Sequence, residues 1–200
     1  MERTQRYKKE GGKPRTLDYL KGQVVVLDFW GLWCGPCRSS VPQLKAIQER
    51  FKDQPVTFIS IHTAEKETEA LASKIREFKQ ANDWHYIAAI DKGQVVENSV
   101  TANAYGCRGF PLTVIIGPNG KIAYVDPQDV SMDCDEENPK VIAEFQKKFD
   151  AIMKTRFESV GESWPPSKQL NEKQQEEIHI RVERAYIIRQ IELALASRSK

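Results

Sequence analysis

The sequence predicts an α/β fold, a mixed central sheet flanked by helices, with a helical extension at the C-terminus. Three observations carry this. "QVVVLDFW", ending at Trp30, is a continuous apolar, β-branched run of the kind a strand covered on both faces requires. Beyond it, strand-like runs alternate with segments of helical periodicity, as parallel strands joined by helical crossovers do. "LTVIIGPNGKIAYV" then gives two apolar runs joined around Pro118-Asn119-Gly120, a turn signal that makes an antiparallel hairpin and a mixed edge.

The elements follow in order. Residues 1–13 are polar and read as a tail, residues 14–157 as the main domain, and residues 158–200 as a hinge and long C-terminal helix. After the first strand, Val41, Leu44, Ile47 and Phe51 recur at helical spacing from Cys34 to Phe51, with Pro42 removing one backbone donor and kinking that helix. "VTFISI" (Val56 to Ile61) is a second strand. Glu65 to Ala81 is a helix with Leu71, Ile75 and Phe78 on one stripe, Tyr86 to Ile90 a short strand, and Val96 to Tyr105 a weaker helix. Past the hairpin, an acidic loop leads to a helix from Lys140 to about Phe157, and "ESVGESWPPSK" reads as a hinge. The last helix, Leu170 to Ser197, carries Ile178, Val182, Ala185, Ile188, Ile191 and Leu195 at spacings of three and four, widened by Ile180, Ile187 and Ala194. Such a face must be buried, either by docking back on the domain or by self-association into a homodimer.

Charge excludes one class of partner. Lys and Arg number 30 against 28 Asp and Glu, a net charge of +2 with no basic block, so nucleic acid is set aside. The longest apolar runs, Val24 to Leu27 and Leu112 to Ile116, are too short to cross a bilayer, and Met1 to Gly22 lacks the apolar segment of a signal peptide. The chain as given is expected to be soluble; removal of an upstream signal or anchor would leave the same sequence, so its compartment stays open. Four cysteines are too few for a disulfide-stapled scaffold of this length.

"FWGLWCGPCRSSVP" places Cys34 and Cys37 three positions apart, directly after a strand and at the start of a helix. There the first sulfur meets unpaired backbone N–H groups and the positive end of the helix dipole, which lowers a thiol pKa and supplies a reactive thiolate. Cys34 can attack a disulfide, and Cys37, one turn inside, can resolve the mixed intermediate. Gly35 and Pro36 fit the tight turn, and Trp33 and Trp30 offer a partner protein an apolar landing surface. Zinc would need four ligands, and Cys107, Cys134, His62, His85 and His179 are scattered. A purely structural disulfide is disfavoured because closing so small a loop removes little chain entropy. No metal and no bound organic cofactor is expected.

"VVVLDFWGLWCGPC" and "YGCRGFPLTVIIGPNGKI" resemble thioredoxin, and the helix and strand between Glu65 and Ile90 make the chain more similar to the TlpA/ResA-like branch of thiol-disulfide oxidoreductases. The resemblance covers about residues 14–126 and implies a thioredoxin fold with an inserted helix–strand unit. It implies that Asp28 is a buried acid with a raised pKa that takes the proton of Cys37, and that Pro111 is a cis-proline facing the cysteines, with Phe110 beside it where an extended substrate would lie. Glu65 falls where ResA-like proteins carry an acid near the site; equally it fits as the polar first-turn residue of a helix. His62, at a strand end, is read as solvated in preference to titrating with the site. Cys107 is read as a buried free thiol, and Cys134, among acidic residues, as a thiol of raised pKa and low reactivity. Arg38 is read as solvated.

The Gly-Pro pair between the cysteines is the dipeptide of thioredoxin, and that resemblance implies a reductant that acts on disulfides in partner proteins and takes electrons from an upstream protein donor. By resemblance the expected location is the periplasm or cell envelope, with the cytoplasm also open. The rival reading is a thioredoxin-fold binding module whose C-terminal helix recruits a partner. A thiol peroxidase ranks last, because Cys34 follows Trp and no Ser or Thr stands upstream of it in the motif.

Overall fold

The computed structural model describes residues 17–63, 71–92, 99–126, 139–166 and 170–199. The chain divides into two units, one formed by Met1–Asp126 with Gln190–Lys200 and the other by Pro127–Arg189.

In the first unit, five strands form one sheet: β1 (Val24–Trp30), β2 (Val56–His62), β3 (Ile87–Ile90), β4 (Leu112–Ile116) and β5 (Ile122–Val125), in the spatial order β3-β2-β1-β4-β5. β1 is parallel to β2, and β2 to β3, while β4 and β5 run antiparallel. This is the mixed sheet that the alternation and hairpin predicted. β1 lies at the centre and is buried along its whole length, which is why its sequence is an unbroken apolar run around one acid. The helices are α1 (Gly35–Arg50), α2 (Leu71–Ala81) and the short α3 (Val100–Ala104). α2 and β3 are the inserted helix–strand unit, with β3 added at the sheet edge. Of the helices expected at 65–81 and 96–105, residues 65–70 and 96–98 lie outside the described residues. α1 is continuous through Pro42.

The period-two geometry of strands divides the sheet into two faces. Val25, Leu27 and Phe29 join Ile59, Ile61, Leu112, Val114 and Ile116 in one core, closed by Leu20, Ala102 and Cys107. The opposite positions of β1 are Val24, Val26, Asp28 and Trp30. Over Trp30 lies an aromatic layer: its ring centroid is 5.5 Å from Phe78 and 4.8 Å from Trp84, and Trp84 is 5.4 Å from Tyr86. This layer, brought in by the inserted unit, covers the face that holds the acid.

The last turns of the helix α5 (Glu172–Ala196) belong to this first unit. Ile191 and Ala194 are buried there, and Glu192 forms a 2.7 Å ion pair with Arg50 of α1. Both partners are half exposed, so the pair contributes well under about 1 kcal/mol.

The second unit holds α4 (Pro139–Ser159) and the preceding part of α5. Gly161, at φ 79°, provides the left-handed turn after α4, and the Glu162 N–H returns to the Phe157 carbonyl at 2.9 Å. The segment read as a hinge carries Trp164, whose ring lies 5.8 Å from Phe149, 5.1 Å from Phe157 and 5.3 Å from His179. With Met153 and Val182 these residues form a small core, so the segment is anchored by an aromatic side chain. Phe157 is fully buried in it. Phe157→Ala is expected to cost this unit about 3–5 kcal/mol, seen in urea denaturation as an earlier transition for that unit. Among the described residues no helix is long and apolar enough to cross a membrane.

Candidate active site

β1 ends at Trp30 and the chain turns through Gly31–Trp33 into α1, for which Cys34 is the N-cap. Cys34 and Cys37 form a disulfide with a Cα–Cα distance of 5.3 Å. Cys34 is 5% exposed and Cys37 1%, so Cys34 is the less buried of the two. The Cys37 N–H donates to Cys34 Sγ at 3.2 Å, one of the helix-terminal donors that has no backbone partner of its own. That donor and the helix dipole favour negative charge on Cys34 once the bond is reduced. Gly35 and Pro36 occupy the first turn of α1, where proline lacks only an N–H that the helix does not use.

Opposite the disulfide, the Phe110–Pro111 bond is cis and leads into β4. The Phe110 carbonyl oxygen lies 3.8 Å from Cys34 Sγ. Trp33, 41% exposed, stands edge-to-face with Phe110, ring centroids 5.5 Å apart. The structure thus gathers Cys34, Cys37, Trp33, Phe110 and Pro111 at one end of the sheet. Arg38, one residue past Cys37, is exposed.

Asp28 sits beneath this rim and is 1% exposed. It pairs across the sheet with Ser60 of β2 and Thr113 of β4. Its Oδ2 has no hydrogen-bond partner among the described residues. Burial pushes its carboxyl up to about 7, against a smaller opposing pull from the Lys79 ammonium. Lys79 comes from α2, donates to Ser60 Oγ at 3.3 Å and lies 4.2 Å above the Trp84 ring. Desolvation lowers it to about 8, against the attraction of Asp28. Burial therefore drives both groups toward their neutral forms, and the attraction between their charges opposes it.

Sequence reasoning passed over Lys79. The signal was present: it is four residues after Ile75, on the helical stripe that the aromatic layer buries. His62 is corrected outright. The strand-end histidine read as solvated is 1% exposed, because the Gly31–Trp33 segment folds over it. Its Nε2 accepts the Leu32 N–H at 2.9 Å, its ring meets Trp30 edge-to-face at 5.0 Å, and burial lowers its pKa to about 4. Cys107 is a buried free thiol whose S–H donates to the Gly109 carbonyl at 3.1 Å, and desolvation raises it to about 11. Asp91, unnoticed in the sequence, is buried and accepts the N–H groups of Thr101 and Ala102 at 2.8 Å, fastening the start of α3. Glu65 and Cys134 lie outside the described residues.

Comparison with known proteins agrees with this geometry. The chain is 30% identical over 111 residues to the thiol-disulfide oxidoreductase ResA of Bacillus anthracis, covering 56% of this chain and 58% of that one. ResA of Bacillus subtilis is 29% identical over 114 residues, with 57% and 58% covered. The chain thus spans a little over half the length of these relatives. Among solved structures, a thiol-disulfide isomerase from Corynebacterium glutamicum superposes with a TM-score of 0.53 at 20% identity, covering 62% of this chain and 83% of the other. The thioredoxin domain of a thiol-disulfide oxidoreductase from Bacteroides vulgatus gives 0.51 at 23% identity, with 62% and 83% covered. Both support the thioredoxin fold. The model of the AhpC/TSA family matches residues 4–125, more than half of the chain and the whole of the sheet that leads into the disulfide, so the chain belongs to the AhpC/TSA family.

Proposed function

We propose that this protein reduces disulfides in partner proteins by cycling Cys34 and Cys37 between dithiol and disulfide. The observation that carries the reading is the Cys34 sulfur at the N-terminus of α1, receiving the Cys37 N–H at 3.2 Å, beside the exposed Trp33 ring. In the reduced protein the Cys34 thiolate attacks one sulfur of a substrate disulfide; the other sulfur leaves as a thiolate and takes up a proton. Cys37 then loses its proton to the Asp28 carboxylate and attacks Cys34 Sγ. The substrate leaves as a dithiol, and the Cys34–Cys37 disulfide holds the two-electron oxidation. A carboxyl poised at about 7 is suited to this transfer, because it accepts and returns a proton near neutral pH. Phe110, Pro111 and Trp33 would seat the substrate chain, Gly35 and Pro36 would hold the turn, and a separate dithiol protein would return the electrons. We place this activity on the outer side of the cytoplasmic membrane, by resemblance to the ResA-like branch.

The reduction potential of the Cys34/Cys37 couple tests the direction. Equilibration of the full chain in glutathione or dithiothreitol buffers, followed by trapping of free thiols, is expected to give a value near that of thioredoxin, about −270 mV. A value near about −120 mV would make the protein an oxidant and reverse every step above.

A further inference from the structure

His62, the last residue of β2, and Thr63, which follows it, hold the segment that precedes Cys34 at three points. The Trp30 carbonyl accepts the Thr63 N–H at 2.8 Å, His62 Nε2 accepts the Leu32 N–H at 2.9 Å, and the Thr63 carbonyl accepts the Trp33 indole N–H at 3.0 Å. The parallel register that pairs Trp30 with His62 sets this up, since both strands end level. Gly31 completes it: a Cβ there would meet the Trp33 indole nitrogen at 2.5 Å, so only glycine lets that ring fold back against the backbone. His62 is itself fixed, by the edge-to-face contact with Trp30 and by its carbonyl, which accepts the Asp91 N–H at 2.9 Å. Two of the three ties use the backbone N–H and carbonyl of residue 63, which any residue there except proline would supply. The third depends on the imidazole alone.

We propose that His62 is a positioning residue of the thiol-disulfide reaction: by accepting the Leu32 N–H on its buried Nε2, it fixes the Gly31–Trp33 segment and thereby the Cys34 sulfur over the first amides of α1. The role requires a neutral ring with a free Nε2 lone pair. Burial keeps the ring neutral, holding the imidazole at about 4, and because Nε2 accepts the Leu32 N–H the one proton is assigned to Nδ1, which has no hydrogen-bond partner among the described residues. Without the acceptor, the Leu32 N–H is left unpaired in a half-buried loop, and the loop moves to satisfy it. Two residues later, Cys34 Sγ shifts away from the Cys37 N–H that stabilises its thiolate.

The inference rests on the proposed reaction at Cys34, so its test reads that thiol without any protein substrate. The rate of alkylation of Cys34 by iodoacetamide is followed against pH in the reduced full chain and in His62→Met, which fills the space of the ring without a comparable acceptor. His62→Gln, whose Oε1 can stand where Nε2 stands, is the rescue. We expect the midpoint of the His62→Met profile to rise by about one unit and its rate at pH 7 to fall about tenfold, with His62→Gln restoring both to within about threefold. A His62→Met profile that matches the wild type overturns the inference. So does equal impairment of both variants, which would make the loss one of packing and not of the acceptor. If His62→Met does not fold, His62→Leu and His62→Gln are compared in the same way. Insulin reduction by the wild-type chain is measured in parallel: its absence removes the proposed function, while the alkylation profiles still decide the role of His62.

Discussion

On the proposed reaction, Cys37→Ser is expected to turn the protein into a covalent trap. In the reduced variant Cys34 keeps its place at the start of α1 and still attacks a substrate disulfide, but nothing displaces the substrate from the mixed disulfide. Turnover should fall by at least about 10³-fold, and a stoichiometric adduct through Cys34 should accumulate, visible as a mass increase reversed by dithiothreitol. Cys34→Ser should lose turnover to the same extent and form no adduct. The contrast matters because another thiol could in principle substitute. Cys107 is the one described cysteine outside the disulfide; it is buried, its S–H is engaged by the Gly109 carbonyl, and desolvation holds it at about 11. Its thiolate fraction at neutral pH is on the order of 10⁻⁴, too small to resolve the intermediate at a useful rate. Continued turnover in Cys37→Ser would show that the cycle does not run through the pair.

The division of labour at the site follows from where each element enters. β1 delivers both the acid, at Asp28, and the chain that becomes the Cys34 loop, while β2 supplies the acceptors that hold the loop down. β4 brings Phe110 and Pro111 to the rim from the other side, because it runs antiparallel to β1 and begins where β1 ends, Leu112 opposite Phe29. The inserted unit adds what the sheet alone lacks: Phe78, Trp84 and Tyr86 to dry the buried face, and Lys79 to meet the acid within it.

The features legible in the sequence were those written in local pattern. A seven-residue run, apolar except for Asp28, announced β1, Pro-Asn-Gly announced the hairpin, and Cys-Gly-Pro-Cys after a strand announced the disulfide at a helix start. The burial of Asp28 was implied by the resemblance to thioredoxin, and its apolar neighbours Leu27 and Phe29 fit that reading. The residues that escaped depend on contacts between segments far apart in the chain. Lys79 reaches Ser60 across nineteen positions and His62 reaches Leu32 across thirty, and in each case the local sequence fits a solvated charge equally well. Trp164 escaped for a related reason. The prolines and serine around it signal a turn, and nothing local shows that the indole inserts between Phe149, Phe157 and His179.

Asp28→Asn should move stability and activity in opposite directions, and pH should decide the size of the first effect. The carboxyl has a folded pKa of about 7 against an ordinary value of 3.8, so the fold prefers it protonated. An acid raised on folding costs nothing below its unfolded pKa, and its cost grows as pH rises toward the folded value, where the unfolded chain has already released the proton. A shift of about three units corresponds to about 4 kcal/mol of penalty above pH 7. Asparagine removes that penalty but also takes from Lys79 its buried countercharge, which returns part of the cost; a net gain of about 2 kcal/mol at pH 8 is the expected result. The gain should shrink through pH 6 and disappear near pH 4, when measured by urea denaturation of the oxidised chain, in which Cys34 and Cys37 do not titrate. Lys79→Met should move the wild-type transition to higher pH, since the cation is the one influence that holds Asp28 down. Activity should change the other way. With no carboxylate to take the Cys37 proton, resolution of the mixed disulfide slows by about 10²-fold, the usual contribution of a positioned general base, and the adduct becomes visible during turnover. A stability difference independent of pH would mean that Asp28 does not titrate in this range, and an unchanged rate of resolution would assign the proton of Cys37 to another acceptor.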